Sequence, residues 1–194
     1  MILIGGFFAI VVVKQLFGGL GYNFANPAIV GRIAMALGFT GAMTSYTYPE
    51  NGIDALASAT PLAVEETAQN AGSYVTLLLG NHGGVLGETC AITLLIGGIY
   101  LIWTKVISPT IPVTYLATVA VFSLLCGYDP IYQLLSGGLI LGAFFMATDY
   151  VTSPTTEKGK LVFGIGLGVI TCLIRFFGTM NEGVSFAILL MNLL

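Results

Sequence analysis

The residues best suited to chemistry lie in the stretch ASATPLAVEETAQN, a polar interruption of an otherwise apolar chain. Thr60 supplies a hydroxyl that can be modified, and Pro61 fixes the adjacent backbone by holding φ near about −65°. The same residues fit a helix entry, with Thr60 as N-cap, Pro61 at N1 and Glu65 and Glu66 in the first turns. The two interpretations are compatible, because a phosphate on Thr60 would then lie at a helix N-terminus, which favours an anion.

Charged residues beside apolar segments form a second group of candidates, because charges near a membrane are costly and often functional. Glu88 and Asp149 each abut a long apolar span, so we prefer these two acids for an ion path. An alternative is that such residues mark helix ends at the lipid headgroups, which applies best to Asp129, Asp149 and Glu182. The complete group is Arg32, Glu88, Asp129, Asp149, Arg175 and Glu182.

Several kinds of chemistry find no support in the sequence. Cys90, Cys126 and Cys172 lie singly in apolar segments without C-x-x-C spacing, so we interpret them as packing thiols and predict no metal site. His82 has no partners in sequence and is interpreted as a loop or interfacial residue. There is no nucleophile and base pair and no P-loop. Six basic residues give no nucleic-acid footprint.

The elements that carry these residues belong to a membrane protein. The chain has 194 residues, of which 56% are hydrophobic and 8% charged, whereas a soluble domain carries about 25% charged residues. We predict an all-α polytopic membrane protein in which residues 1–194 form a single transmembrane domain with roughly six to seven hydrophobic segments. The uncharged spans are Met1 to Val13, Gln15 to Gly31, Ile33 to Pro49, Thr89 to Thr104, Val106 to Tyr128, Pro130 to Thr148, Leu161 to Ile174 and the tail Gly183 to Leu194.

Glycine is unusually frequent, with 26 residues, and predicts that some of these helices are broken or re-entrant. The stretch FGGLGYN (Phe17 to Asn23) resembles HGGVLGE (His82 to Glu88), and each opens an apolar segment. Paired Gly-interrupted segments are typical of an inverted repeat of broken helices. Close helix packing through small residues explains the same glycines equally well.

The distribution of lysine predicts the orientation. Lys105 follows one apolar span, and Lys158 and Lys160 lie in the polar stretch DYVTSPTTEKGK, so the positive-inside rule makes both connections cytoplasmic. The turn Tyr128 to Pro130 and the stretch Tyr48 to Gln69, which contains four acids and no basic residue, are then outside. Residues 46–70 are therefore predicted to form an outward-facing loop.

Five blocks of the sequence resemble the family that includes the D subunit of the Rnf ferredoxin:NAD oxidoreductase and the B subunit of the sodium-pumping NADH:quinone reductase. The blocks are KQLFGGLGYNFANPAIVGR, DALASATPL, GVLGETCAI, GYDPIYQLLSGGLILGAFFMATDYVTSPTTEKGK and IRFFGTMNEGVSFAILLMN, in this order. Members of the family are longer at the N-terminus by several helices. The resemblance implies that this chain corresponds to the C-terminal portion of the full-length subunit.

The resemblance also implies a cofactor. In the family a Thr in a motif of the form D-x-x-S/T-G-A-T carries FMN through its phosphate, attached by a flavin transferase. Asp54, Ala59 and Thr60 match this motif, whereas Ala57 and Ser58 depart from it. The outward loop would then carry the flavin on Thr60. Members are also described with noncovalent riboflavin, which Asn23 and Asn26 could contact; Asn26 before Pro27 also fits an ordinary helix entry.

The implied function is a membrane subunit that couples electron transfer between ferredoxin and NAD to translocation of Na+ or H+, and that is not catalytic alone. The implied partners are another FMN-bearing subunit and iron-sulfur subunits of the complex, the flavin transferase and the lipid bilayer of a bacterial or archaeal inner membrane. A small-solute or ion channel without redox chemistry, or a nonfunctional fragment, remains an alternative on composition and glycine content. The flavin loop separates these interpretations.

Overall fold

The computed structural model describes residues 1–43, 46–47, 57–58, 71–80, 82, 84–85, 87–178 and 183–194. Within these residues the chain is helical apart from one antiparallel pairing of two short strands, in which Tyr46 pairs with Ser58 and Thr47 with Ala57. The helical class predicted from composition is therefore confirmed for the described residues.

The elements follow one another as a series of hairpins. The first comprises α1 (Ile2–Gly6), which continues directly into a π-helix, π1 (Phe7–Gln15), and then α2 (Pro27–Gly38) with the short α3 (Thr40–Met43). Strands β1 (Tyr46–Thr47) and β2 (Ala57–Ser58) precede α4 (Ala71–Leu79), α5 (Ala91–Trp103) and α6 (Thr110–Cys126). The chain ends with α7 (Pro130–Leu135), α8 (Leu139–Leu141), the π-helix π2 (Gly142–Met146), α9 (Glu157–Phe177) and α10 (Val184–Leu193).

The longest helix is α9, and its first and last turns carry residues that stabilise helix ends. Thr156 is the N-cap, and its Oγ1 accepts a hydrogen bond from the Gly159 amide at 3.1 Å. Glu157 in the first turn and Arg175 in the last turn both complement the helix dipole. Among the described residues, α9 is the one helix that is long and apolar enough by itself to cross a membrane; the shorter apolar helices are Ile2–Gln15, Pro27–Gly38, Ala91–Trp103, Thr110–Cys126 and Val184–Leu193.

Helices α6 and α9 run in the same direction and approach closely. Gly164 and Gly168 of α9 lie against Thr114 and Thr118 of α6. A Cβ atom on Gly164 would overlap the Thr114 Oγ1, and one on Gly168 would lie 2.5 Å from the Thr118 Cβ. The pair of glycines four residues apart therefore lets the two backbones meet, as small residues do at membrane helix interfaces.

Two apolar segments are interrupted rather than continuous. The segment predicted as one span from Pro130 to Thr148 is broken between α7 and α8 by residues 136–138, and Gly137 there has φ +66°. A longer connection, between Leu79 and Ala91, separates α4 from α5. Helix α4 contacts α7, and α5 contacts α8. The two interrupted segments therefore lie side by side, and each leads into one of the parallel helices α6 and α9.

Three connections meet at one end of the molecule, which we call the lysine end. Tyr150 Oη, in the connection before α9, donates to the Val106 carbonyl, in the connection before α6. Thr110 Oγ1 donates to Glu157 Oε2 at 2.8 Å, which joins the starts of these two helices. The turn before α2 lies at the same end, because Asn26, the N-cap of α2, donates from Nδ2 to the carbonyl of Met146, the last residue of π2, at 3.4 Å.

All four lysines of the sequence lie at this end. Lys14 is in the last turn of π1, just before the turn that leads to α2. Lys105 follows α5, and Lys158 and Lys160 lie in the first turn of α9. The two remaining basic residues of the chain are arginines, on α2 and α9.

The opposite end, which we call the Asp129 end, gathers the turn between α6 and α7 and the start of α4. Asp129 is the N-cap of α7, and its Oδ1 accepts a hydrogen bond from the Ile131 amide at 2.9 Å. Its Oδ2 accepts a hydrogen bond from Tyr74 Oη of α4. The ring of Tyr128 stacks on the ring of Phe176, near the end of α9, with 4.3 Å between the ring centroids.

Candidate functional site

The predicted flavin attachment residues Asp54, Ala59 and Thr60 lie outside the described residues. The backbone of Ser58 is described and belongs to β2. The flanks of the segment are described as well: α3 ends at Met43 and α4 begins at Ala71.

Both flanks point to the Asp129 end. Helix α2 starts at the lysine end, at Asn26, and runs away from it toward α3. On the other side, Tyr74 in the first turns of α4 is hydrogen-bonded to Asp129. The chain therefore enters α4 at the Asp129 end, and α2 runs from the lysine end in that direction.

The guanidinium of Arg175 lies beside the start of the interruption between α7 and α8, at residues Gln133 and Ser136. Arg175 of α9 donates from Nη1 to the carbonyl of Gln133 at 2.8 Å and to the side-chain Oε1 of Gln133 at 3.2 Å. Its Nη2 donates to the Ser136 carbonyl at 3.2 Å. These carbonyls belong to the end of a helix, where the backbone has no further amide to pair with. Arg175 thus replaces the hydrogen bonds that a continuous helix would make.

The second half of the interruption faces a carboxylate. Glu88, in the connection between α4 and α5, has its carboxyl group 3.0 to 3.2 Å from the position that a Cβ on Gly138 would occupy. Gly138 precedes α8, so the absence of a side chain there leaves room for the acid. Glu88 forms an ion pair with Arg32 of α2. The Glu88 side chain is 4% exposed and that of Arg32 is 20% exposed, so the carboxylate is the more deeply buried partner.

This ion pair is a better marker of function than of stability. Taking two charges out of water costs about as much as their attraction returns, whereas removing one partner of a buried pair costs about 3–5 kcal/mol. A buried Glu–Arg pair that lies where two interrupted segments meet therefore fits a site with a role beyond packing. The role of Glu88 in an ion path stays a prediction.

Asn23 and Asn26 make short-range backbone contacts. Asn26 Oδ1 accepts from the amides of Ala28 and Ile29 at 3.1 and 3.4 Å, so the predicted helix entry with Pro27 at N1 is confirmed. Asn23 Nδ2 donates to the Ala25 carbonyl at 3.0 Å. Both amides therefore help to shape the turn at the lysine end.

The remaining candidates lie apart from the interruption. Asp149 is in the connection before α9, where its Oδ2 accepts a hydrogen bond from Thr152 at 3.0 Å. His82, 8% exposed, has its Nδ1 3.5 Å from the Thr76 carbonyl.

Within the described part of the chain no group of three or more His, Cys, Asp or Glu residues could hold a metal ion. The cysteines of that part are unbridged thiols: Cys90, Cys126 and Cys172.

The two Gly-rich stretches compared in the sequence occupy different places. Phe17 to Asn23 lie in the turn at the lysine end, whereas Glu88 lies at the interruption beside Gly138. Sequence reasoning included Arg32 and Arg175 among the charged candidates but gave them no role. It did not single out Ser136 or Gly138, although Ser-Gly-Gly inside an apolar span was the available signal.

Comparisons with known protein sequences identify the family of this chain and several relatives. The NQR2, RnfD, RnfE family matches residues 1–194. The chain is 49% identical to the D subunit of the Na+-translocating ferredoxin:NAD+ oxidoreductase complex of Acetobacterium woodii, over 97% of this chain and 60% of that protein. It is 42% identical to the D subunit of the proton-translocating ferredoxin:NAD+ oxidoreductase complex of Clostridium ljungdahlii, over 99% of this chain and 63% of that protein.

A third relative is the D subunit of the ion-translocating oxidoreductase complex of Citrobacter koseri, 36% identical over all of this chain and 68% of that protein. The chain thus spans 60% to 68% of the length of these three relatives. The family match over the whole chain agrees with the blocks recognised in the sequence. The chain therefore belongs to the NQR2, RnfD, RnfE family.

Proposed function

We propose that this chain is a membrane component of an ion-translocating ferredoxin:NAD oxidoreductase and works only within that complex. The observation that carries the proposal is the 36% to 49% identity, over at least 97% of the chain, to three proteins named as the D subunits of such complexes. These names favour electron transport over the channel interpretation. They include one Na+-translocating and one proton-translocating complex, so the ion is left open between the two.

The redox group of the proposal is FMN, bound covalently to Thr60. Thr60 follows Asp54 at the spacing of the family motif, with Ala59 in place and with Ala57 and Ser58 as departures. The flavin supplies the redox chemistry, and the protein supplies its attachment and surroundings. Its partners in the proposal are a flavin transferase, a second FMN-bearing subunit and iron-sulfur subunits. Noncovalent riboflavin near Asn23 and Asn26 is a weaker part of the proposal, because backbone contacts already use both amides.

The proposed orientation places the flavin loop outside a bacterial or archaeal inner membrane, in a multi-pass arrangement. Its support is the position of the four lysines at one end, which the positive-inside rule makes cytoplasmic. The flanks of the flavin segment, Met43 and Ala71, lead to the opposite end. The predicted loop 46–70 carries acids and no basic residue, which fits the outer side.

The contacts between the two interrupted segments bear on the proposed ion path. Helices α6 and α9 run parallel, and each follows an interrupted segment that contacts its counterpart. Interrupted segments of this type line a site where backbone groups need partners. Glu88 is the acid that we place on the ion path, and Asp149 is a second acid at its lysine end.

The test is co-expression of the chain with the flavin transferase and partner subunits. Denatured wild-type chain should fluoresce in a gel under ultraviolet light, Thr60→Val should be dark, and the control Thr67→Val, in the same segment, should fluoresce. The assembled complex should reduce NAD with ferredoxin and move ions, and Thr60→Val should lose both activities. A dark wild-type band with the transferase active on another target would refute the flavin on Thr60. Full electron transfer without this chain would refute the subunit role.

A further inference from the structure

Helix α5 ends in a Schellman turn that places a lysine where glycine is the usual residue. The Lys105 amide donates to the Ile102 carbonyl at 3.0 Å. The next amide, that of Val106, donates to the Leu101 carbonyl at 3.0 Å. Lys105 has φ +58° and is the one non-glycine residue with positive φ in the described part of the chain. The same turn ends α6, where Gly127 takes this conformation. A residue with a Cβ is strained there and glycine is not, so the lysine side chain needs an explanation.

The charge of Lys105 is available to an anion. Lys105 is exposed and forms no ion pair with the other described residues. The two acids of the lysine end have other partners. Glu157 pairs with Lys160 at 2.7 Å, and Asp149 accepts a hydrogen bond from Thr152 at 3.0 Å. With four lysines against these two acids, the described residues of this end attract anions.

The surface of α5 that leads to Lys105 is apolar and exposed. Ile96, Ile99 and Trp103 are each more than half exposed, and their spacing places them on one face of the helix. Tyr150 is also more than half exposed, and its hydroxyl ties it to the connection that follows α5. Trp and Tyr are enriched at the level of lipid headgroups. Lys105 thus lies beside two aromatic rings, at the end of an apolar stripe.

We propose that this end of α5 binds one anionic phospholipid, with its phosphate on Lys105 and an acyl chain along Ile96 and Ile99. A phospholipid joins a negative charge to an apolar chain, as this surface joins a lysine to an apolar stripe. A free anion would use the lysine but leave the stripe without a role. The inference goes beyond the proposed function and depends on neither the flavin nor the translocated ion.

The test uses the purified, assembled complex in detergent and a phosphatidylglycerol that carries a photoactivatable diazirine in one acyl chain. After illumination, labelled peptides of this chain are identified by mass spectrometry. The wild type should be labelled on α5, and unlabelled phosphatidylglycerol should compete at lower concentration than phosphatidylcholine. Inorganic phosphate at matched ionic strength should not compete. Competition by phosphate would show that the surface binds a free anion, and absence of label on α5 would show that another subunit covers it; either result would overturn the proposal.

Three variants separate the charge of Lys105 from its place in the helix end. Lys105→Gly should raise the phosphatidylglycerol concentration for half-maximal labelling of α5 by about fivefold, the contribution of one basic residue near anionic lipid. It also relieves the strained backbone, so its unfolding midpoint in dodecyl sulfate should not fall. Lys105→Arg, which keeps the charge, should label as the wild type does. Lys14→Gln removes one charge from another connection of the same end and should also leave labelling of α5 unchanged. Equal labelling of the wild type and Lys105→Gly, or an equal loss in Lys105→Gly and either other variant, would refute the site.

Discussion

Substituting Gly168 by Ala is expected to separate α6 from α9. The added Cβ would lie 2.5 Å from the Thr118 Cβ and 2.6 Å from its Cγ2. Because a Cβ is fixed to the backbone, no change of rotamer removes the first contact. Carbon atoms reach their optimal separation at about 3.5–4.0 Å, so the helices must move apart by about 1 Å at this point.

The cost follows from that displacement. Overpacking a tight interface costs about 1–3 kcal/mol. The same movement would lengthen the buried hydrogen bond between Tyr115 Oη and Thr171 Oγ1, now 2.6 Å, whose loss costs about 1 kcal/mol. Replacing Gly by Ala within a helix returns about 0.5–1 kcal/mol. The net destabilisation of Gly168→Ala is therefore about 1–3 kcal/mol.

Gly166→Ala is the matched control on the same helix. A Cβ there would lie 2.7 Å from the Sδ and Cε atoms of Met191, the flexible end of a side chain that can move away. We expect this variant to be as stable as the wild type or slightly more so. The measurement is loss of helical circular dichroism as detergent micelles are titrated with dodecyl sulfate. Equal midpoints for Gly168→Ala and Gly166→Ala would refute the close approach of α6 and α9.

Three further predictions concern helix ends. Arg175→Lys should speed amide hydrogen exchange in α7, because one ammonium cannot replace the guanidinium that donates to the carbonyls of Gln133 and Ser136. An unchanged exchange rate would mean that these two carbonyls do not need Arg175. Asn26→Ala should destabilise the fold by about 1 kcal/mol, because α2 loses its N-cap. The in-gel flavin fluorescence of the chain should stay constant, and its loss would contradict the purely structural role of Asn26. Tyr74→Phe should speed exchange in α4 by removing its bond to Asp129, with Tyr150→Phe, at the lysine end, leaving α4 unchanged.

The helix starts were the most predictable part of the fold. Asn26 and Asp129 each precede a proline, and each is the N-cap of the helix that the proline begins. These signals act over two or three residues, so they can be seen in the sequence. The turn Tyr128 to Pro130 was predicted for a different reason, the lysines at the far ends of the two spans that it joins, and the structure has a turn there between α6 and α7.

The interruption and its charges could not be predicted in the same way. Arg32 and Glu88 are 56 residues apart, and Arg175 lies 42 residues from Gln133, so no local pattern relates them. Apolar content predicted one span from Pro130 to Thr148, and the glycine content predicted that some spans are broken without showing which, because hydropathy does not register that residues 136–138 leave the helix. The break depends on partners from α9 and from the connection before α5, which tertiary structure alone provides.

The division of the basic residues links orientation to the site. The four lysines lie at one end, where an ammonium keeps its hydration, and the two arginines lie inside, at the interruption. A guanidinium suits the interior because it stays charged and serves several acceptors in one plane, as Arg175 does with Gln133 and Ser136. That the lysine end faces the cytoplasm stays a prediction of the positive-inside rule. The arginines mark where the backbone and Glu88 are paired with a permanent positive charge.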